Sequence, residues 1–178
     1  PNINKKQLDL IRKNITLSAN KSNRQFNDIH IIAVTKTFSF SAIESAYNND
    51  IFFIGENKVQ ETIKKISNYS IPDNMEFHLI GHLQSNKINK AISIFDVIQT
   101  IDSIKLAEKI NKKSQELNKQ QRIFCQINIG NDPHKGGFRK NELDHIHNIV
   151  QMKNLNLEGN SDPRLWETIN NIVAYEQK

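Results

Sequence analysis

A chain of 178 residues, 37% of them hydrophobic, is long enough to bury one sizeable core and fits a single domain over 1–178 better than two. No apolar run approaches the roughly 18 residues of a membrane span, and the opening PNINKKQ lacks the apolar segment of a secretory signal, so the expectation is a cytoplasmic protein without a membrane partner. The net charge of +5 raises the question of a nucleic-acid partner, but the lysines fall in scattered pairs such as Lys64-Lys65 and Lys112-Lys113 with few aromatics between them, which reads as solvated helix faces.

The first predicted element is an amphipathic helix in KKQLDLIRKNITLSA, where Leu8, Ile11, Ile15 and Leu17 stand near helical spacing and would cover one end of the core. HIIAVTKTFS then gives a strand from His30 to Thr35 that ends on Lys36 between two threonines. In SAIE, Ser41 is placed to cap a helix and Glu44 to complete a capping box, with Ile43, Ala46 and Tyr47 facing inward. IFFIGEN is a short apolar strand closed by Gly55, after which Asn57 can cap a helix bearing Val59, Ile63 and Ile66.

The alternation continues. EFHLIG ends at Gly81 and leads through HLQSNK into the stripe Ile88, Ala91 and Ile92, and DVIQTID precedes a helix carrying Ile104, Ala107 and Ile110. RIFCQINIG holds the single cysteine, Cys125, which cannot form an internal disulfide and reads as a small buried residue. After the polar loop NDPHKGGF, Asn141 is placed to cap a helix with Leu143, Ile146, Ile149 and Val150, and LNLEG is a sixth strand. In the tail, Asp162, Pro163, Leu165, Trp166, Ile169, Ile172 and Val173 form the pattern of a capped final helix over 160–178.

Strands that alternate with helices and read as uninterrupted apolar runs imply a parallel sheet buried on both faces. An open doubly wound sheet usually carries a G-x-G-x-x-G turn after its first strand, and that turn is absent. Polar side chains instead follow the ends of several strands: Lys36, Glu56 with Asn57, His82, Asp102 and Asn128. That distribution favours an α/β fold of the TIM-barrel-like (β/α) type, with about six strands and a preceding helix.

A solvated lysine is almost wholly ammonium at neutral pH, whereas one kept out of water can attack a carbonyl. The rim of an apolar barrel just past Val34 would supply such surroundings to Lys36; by position alone, the plain alternative is an amine that snorkels to solvent. The motifs add more than position. AVTKT, GENKVQE, HLIGHLQSNK, TID and a KGGF loop, in this order and spacing, resemble the pyridoxal phosphate homeostasis proteins, single-domain barrels related to the barrel domain of bacterial alanine racemases. The resemblance runs from about His30 to Gly159.

The resemblance implies that Lys36 carries pyridoxal 5'-phosphate as a Schiff base, with Asn57, His78 and Gly81 at the cofactor pocket. Gln84, Asn86 and Lys87 read as either a polar rim or a helix start, and Lys135 matches a family loop lysine. The resemblance also implies a carrier in intracellular vitamin B6 homeostasis, without turnover, that hands the cofactor to pyridoxal-phosphate-dependent apoenzymes, as a monomer or homo-oligomer. Relatives continue after the sixth strand with a serine-bearing MS-x-D loop and an R-[IV]-G turn that hold the phosphate; neither occurs in this chain. Barrels of this type run to about 250 residues, so closing units are expected from elsewhere, the tail helix or a partner covering the open edge.

Two other functions share these features. A racemase or decarboxylase would use the same lysine but needs a second acid or base across the cofactor, a role for which Cys125 is too strand-like. A basic binding module that has lost the cofactor would fit the charge and the missing phosphate motifs. Metal chemistry is disfavoured, because His145 and His147 of HIH lie two apart on a helix and diverge.

Overall fold

The computed structural model describes residues 2–128, 130, 132–134, 136–142 and 144–158. Six parallel strands make one sheet: β1 (Ile32–Val34), β2 (Phe53–Glu56), β3 (Glu76–Leu79), β4 (Val97–Ile101), β5 (Gln121–Cys125) and β6 (Leu155–Leu157). A long helix, α1 (Lys5–Lys21), precedes them, and α2 (Phe40–Tyr47), α3 (Val59–Ile66), α4 (Ile88–Ile94), α5 (Ile104–Glu116) and α6 (Asp144–Val150) fill the successive crossovers.

Spatial order equals chain order, β1-β2-β3-β4-β5-β6. A doubly wound sheet reverses direction partway and places helices on both faces; a sheet that always advances the same way, with right-handed crossovers, keeps them on one face and curls as a barrel does. Among the described residues β1 and β6 are not paired with each other, so the sheet is a barrel wall that is not closed.

The register sorts the two faces. Ala33, Ile54 and Phe77 align across β1 to β3, and Leu79 aligns with Ile98 and Ile123. Ile54, Phe77, Leu79, Ile98 and Ile123 join Ile43, Ala46, Ile92, Ala107, Ile110 and Ile149 from the helices in the continuous buried core, with the partly buried Ala33 packed against it. The alternate row runs Val34, Gly55, His78, Val97, Arg122 and Asn156 across all six strands. Because side chains alternate along a strand, this second row lines the inner face of the wall.

Several local expectations need correction. In α1 only Leu8 and Ala19 are buried, whereas Leu10, Ile11 and Leu17 are exposed. The helix is held to the far end of α2 largely by polar tethers, Ile3 N to Ser45 Oγ at 3.0 Å and Arg12 Nη2 to the Asn49 carbonyl at 2.7 Å. The α2 helix starts earlier than expected, with Ser39 at the cap position and Ser41 in the first turn, because Phe40 is drawn into the core and stacks on Tyr69 with centroids 3.6 Å apart. Asn57 is not a cap, since Lys58 takes that position before α3. Asn141 sits in a short 3-10 turn, Lys140–Glu142, ahead of α6, and Val150 faces water. Leu143, Lys135 and the expected final helix over 160–178 lie outside the described residues.

Candidate functional site

The first strand ends in a tight turn. Thr35 N donates to the Gly55 carbonyl at 3.0 Å, prolonging the ladder by one residue, and Phe38 N donates back to the Thr35 carbonyl at 2.9 Å. Lys36 and Thr37 are therefore the central pair of a four-residue turn. Lys36 is exposed, which corrects the expectation of an amine kept dry by the chain itself. Among the described residues β1 pairs with β2 alone, and Val34, two residues earlier on the inner face, is itself 47% exposed.

Beneath that turn lies an ionic cluster that is almost dry. Glu56, the last residue of β2, and Lys65 of α3 meet at 2.5 Å with side chains only 1% and 8% exposed. The Thr35 hydroxyl donates to the same Glu56 oxygen, Oε1, at 2.6 Å, and Lys65 Nζ also donates to the Thr35 carbonyl at 2.7 Å. Glu56 Oε2 is buried without a hydrogen-bond partner among the described residues. The Lys64-Lys65 pair is thus not a uniformly solvated helix face. Lys65 lies on the inward side of α3, six residues after Val59, and nothing in its immediate neighbours marks it as different from Lys64.

The remaining strand ends converge beside this turn. An ideal Cβ on Gly81 would lie 2.1 Å from the backbone oxygen of Asn57 and 2.7 Å from its Oδ1, so the segments after β2 and β3 touch there. The Thr100 hydroxyl donates to the Gly81 carbonyl at 2.7 Å and ties in β4. Asp102, just past β4, lies 3.2 Å from His82 Nδ1 and accepts from Ser103 at 3.1 Å. Gln126, after β5, donates to the Gly136 carbonyl at 3.0 Å. Asn128 organises the loop that follows, through Asp132, by bonds of 2.7 and 3.0 Å. Gln84 and Asn86 are exposed on the adjoining 3-10 turn and Lys87 is half-buried. The structure thus brings the strand-end residues into one rim.

The inner face around Gly55 is apolar and closely packed. A Cβ on Gly55 would meet Ile32 Cγ2 at 3.1 Å, Ile80 Cδ1 at 3.2 Å and Val34 Cγ2 at 3.4 Å. Glycine there lets Ile32, Val34 and Ile80 close over β2 as one apolar surface.

His78 lies short of the rim, in the middle of the inner row. The Gln99 side-chain amide donates to its Nδ1 at 3.0 Å, which leaves the ring proton on Nε2, and that nitrogen has no hydrogen-bond partner among the described residues. Burial first, and then the nearby Arg122 guanidinium, lower its pKa from 6.5 to about 4. The ring is therefore neutral at physiological pH, and the carboxylate of Glu76 at 3.9 Å does not make an ion pair with it. Arg122 instead takes Glu76 at 2.5 Å and Glu158 at 2.7 Å, joining β5 to β3 and to the residue after β6. The sequence did carry a sign of this network: a cation one residue into the apolar run of β5.

The comparisons with known proteins agree with this architecture. The family model for the alanine racemase N-terminal domain matches residues 7–160. A pyridoxal phosphate homeostasis protein of Haemophilus influenzae is 36% identical over 82% of this chain and 63% of its own length. One of Buchnera aphidicola is 38% identical over 85% of this chain and 67% of the relative. The solved structure of PipY of Synechococcus elongatus with PLP bound superposes with a TM-score of 0.69 at 30% identity, covering 81% of this chain and 66% of that one. The chain thus spans slightly under two thirds of the length of the Haemophilus relative.

Proposed function

Since the chain belongs to the alanine racemase N-terminal domain family, among its pyridoxal phosphate homeostasis proteins, we propose that it binds pyridoxal 5'-phosphate at the strand-end rim and holds it covalently on Lys36. In this reading it is a carrier in intracellular vitamin B6 homeostasis, delivering the cofactor to dependent apoenzymes in the cytoplasm without turnover of its own. The observation that carries the reading is the Lys36 turn: an accessible lysine at the centre of a hydrogen-bonded turn, whose first residue is tied to the Gly55 carbonyl.

The residues present fit the aldehyde end of the cofactor. When bound, the cofactor supplies an electrophilic carbonyl carbon with which a neutral amine condenses, releasing water. Ile32, Val34 and Ile80 would offer the cofactor an apolar surface. Asn57, half-buried against Gly81, offers the polar contact at the ring's edge. His78 would line the inner face behind it as a neutral group. No helix among the described residues is long and apolar enough to cross a membrane.

The test is to mix the purified protein with pyridoxal 5'-phosphate and record its absorption spectrum, then to reduce with borohydride and map the label by peptide mass spectrometry. A visible band and a label on Lys36, both lost in Lys36→Ala, support the carrier. A spectrum unchanged from that of the free aldehyde, with no label, overturns it. Racemisation or decarboxylation of added amino acids would reassign the protein as an enzyme.

A further inference from the structure

We propose that Lys65 and Glu56 are positioning residues for Lys36, acting through Thr35; the proposal rests on the carrier reading only where it concerns the cofactor. Thr35 is held at both of its polar ends. Its hydroxyl donates to Glu56 Oε1, while its carbonyl accepts from Lys65 Nζ at 2.7 Å and from Phe38 N at 2.9 Å. That carbonyl is the acceptor that closes the turn containing Lys36, so the ammonium of Lys65 sits on the turn's own hydrogen bond.

The geometry explains why such a device stands here. β1 contributes only three residues and, among the described residues, pairs with β2 alone, so the turn at its carboxyl end relies on contacts from outside the sheet as well. A turn on such an end would sample many conformations, and a reactive amine on it would meet its target at a low effective concentration. The buried pair supplies the missing second anchor from behind: Glu56 from the neighbouring strand, Lys65 from the crossover helix, and Thr35 between them. Where a leucine would only pack, the ammonium of Lys65 donates to the second lone pair of the Thr35 carbonyl, and the Glu56 carboxylate compensates that cation in a dry site. Lys65 is thus separated in role from Lys36, one buried and engaged, the other exposed.

The proposal is tested with four variants and two readouts. Glu56→Gln with Lys65→Met removes both charges at nearly constant volume, and Lys65→Met alone removes the cation. Thr35→Val deletes the hydroxyl and keeps the shape, and Thr35→Ser restores the hydroxyl. The first readout, on the protein without cofactor, is amide hydrogen exchange at Phe38 relative to Ile123 in β5. The second is the yield of borohydride-fixed pyridoxyl label on Lys36.

The double variant is expected to keep Ile123 protected while Phe38 exchanges at least about tenfold faster, with a comparable loss of label. Thr35→Val is expected to show a smaller change of the same kind, and Thr35→Ser to restore both values. Unchanged Phe38 protection and unchanged label in the folded double variant overturn the proposal, whatever happens to the melting temperature. If charge removal prevents folding, the Thr35→Val and Thr35→Ser pair decides by the same criteria. If the unmodified protein takes no label, the carrier reading fails by itself, and the Phe38 readout still judges the clamp.

Discussion

The ammonium of Lys65 lies 2.5 Å from the carboxylate of Glu56, with 8% and 1% of the two side chains left to solvent. Such a pair gains little net stability over an apolar one of the same shape, yet breaking it strands a charge. Lys65→Met alone is therefore expected to cost about 3–5 kcal/mol, and adding Glu56→Gln is expected to recover most of the loss. Urea unfolding of the two variants at pH 7 checks this. Equal destabilisation in both would mean that the pair stabilises the fold outright.

Gly81 is required by space rather than by backbone conformation. A methyl group there would lie 2.1 Å from the backbone oxygen of Asn57, and backbone cannot swing aside as a long side chain does. Gly81→Ala is expected to cost about 1–3 kcal/mol by overpacking, and to weaken pyridoxal phosphate binding by moving Asn57. Gly130, with nothing within 4 Å of its Cβ position, is the control, and its alanine variant is expected to stay within about 0.5 kcal/mol.

His78 makes stability depend on pH in a definite direction. In the folded chain its pKa is lowered to about 4 from 6.5, by burial first and by Arg122 second. Above pH 6.5 both states hold a neutral ring and the stabilisation is complete. As pH falls from 6.5 towards 4 the unfolded chain takes up a proton that the folded one refuses, and stability drops. The drop is on the order of 3 kcal/mol. Chemical unfolding of the native protein and of His78→Gln at pH 7 and pH 4.5 measures it, the variant losing less over that interval. Parallel losses would show that the ring protonates without penalty in the fold.

Cys125 lies on β5 among buried side chains, and desolvation pushes its thiol up to about 12. The thiolate is the nucleophile, so the folded protein is expected to react with a thiol reagent at pH 8 at least about a hundredfold more slowly than the protein in urea. A rapid native reaction would mean that β5 opens readily.

The repeating pattern of the fold was legible because it depends on local chemistry. Apolar runs of four to six residues and stripes such as Ile88, Ala91 and Ile92 leave few alternatives to strands and helices packed in layers, and the strand-end polar residues pointed to the rim. Helix starts were less legible, since Ser39 and Ser41 are both good caps and the choice was made by Phe40 finding a place in the core. Burial of charge was not legible. Lys64 and Lys65 are adjacent and chemically identical, and only the angle of α3 against the sheet takes Lys65 to Glu56, nine residues earlier. The exposure of Lys36 matches the alternative open from position alone, an amine that snorkels to solvent, and it was the resemblance that set the opposite expectation.

The identity of spatial and chain order also bears on how the protein is made. Each of the five described strands after the first pairs with the strand synthesised just before it, so that pairing needs closure only over one intervening helix. As the polypeptide leaves the ribosome the wall can be laid down course by course from β1 to β6, each new strand docking on a finished edge while the rest of the message is still being read.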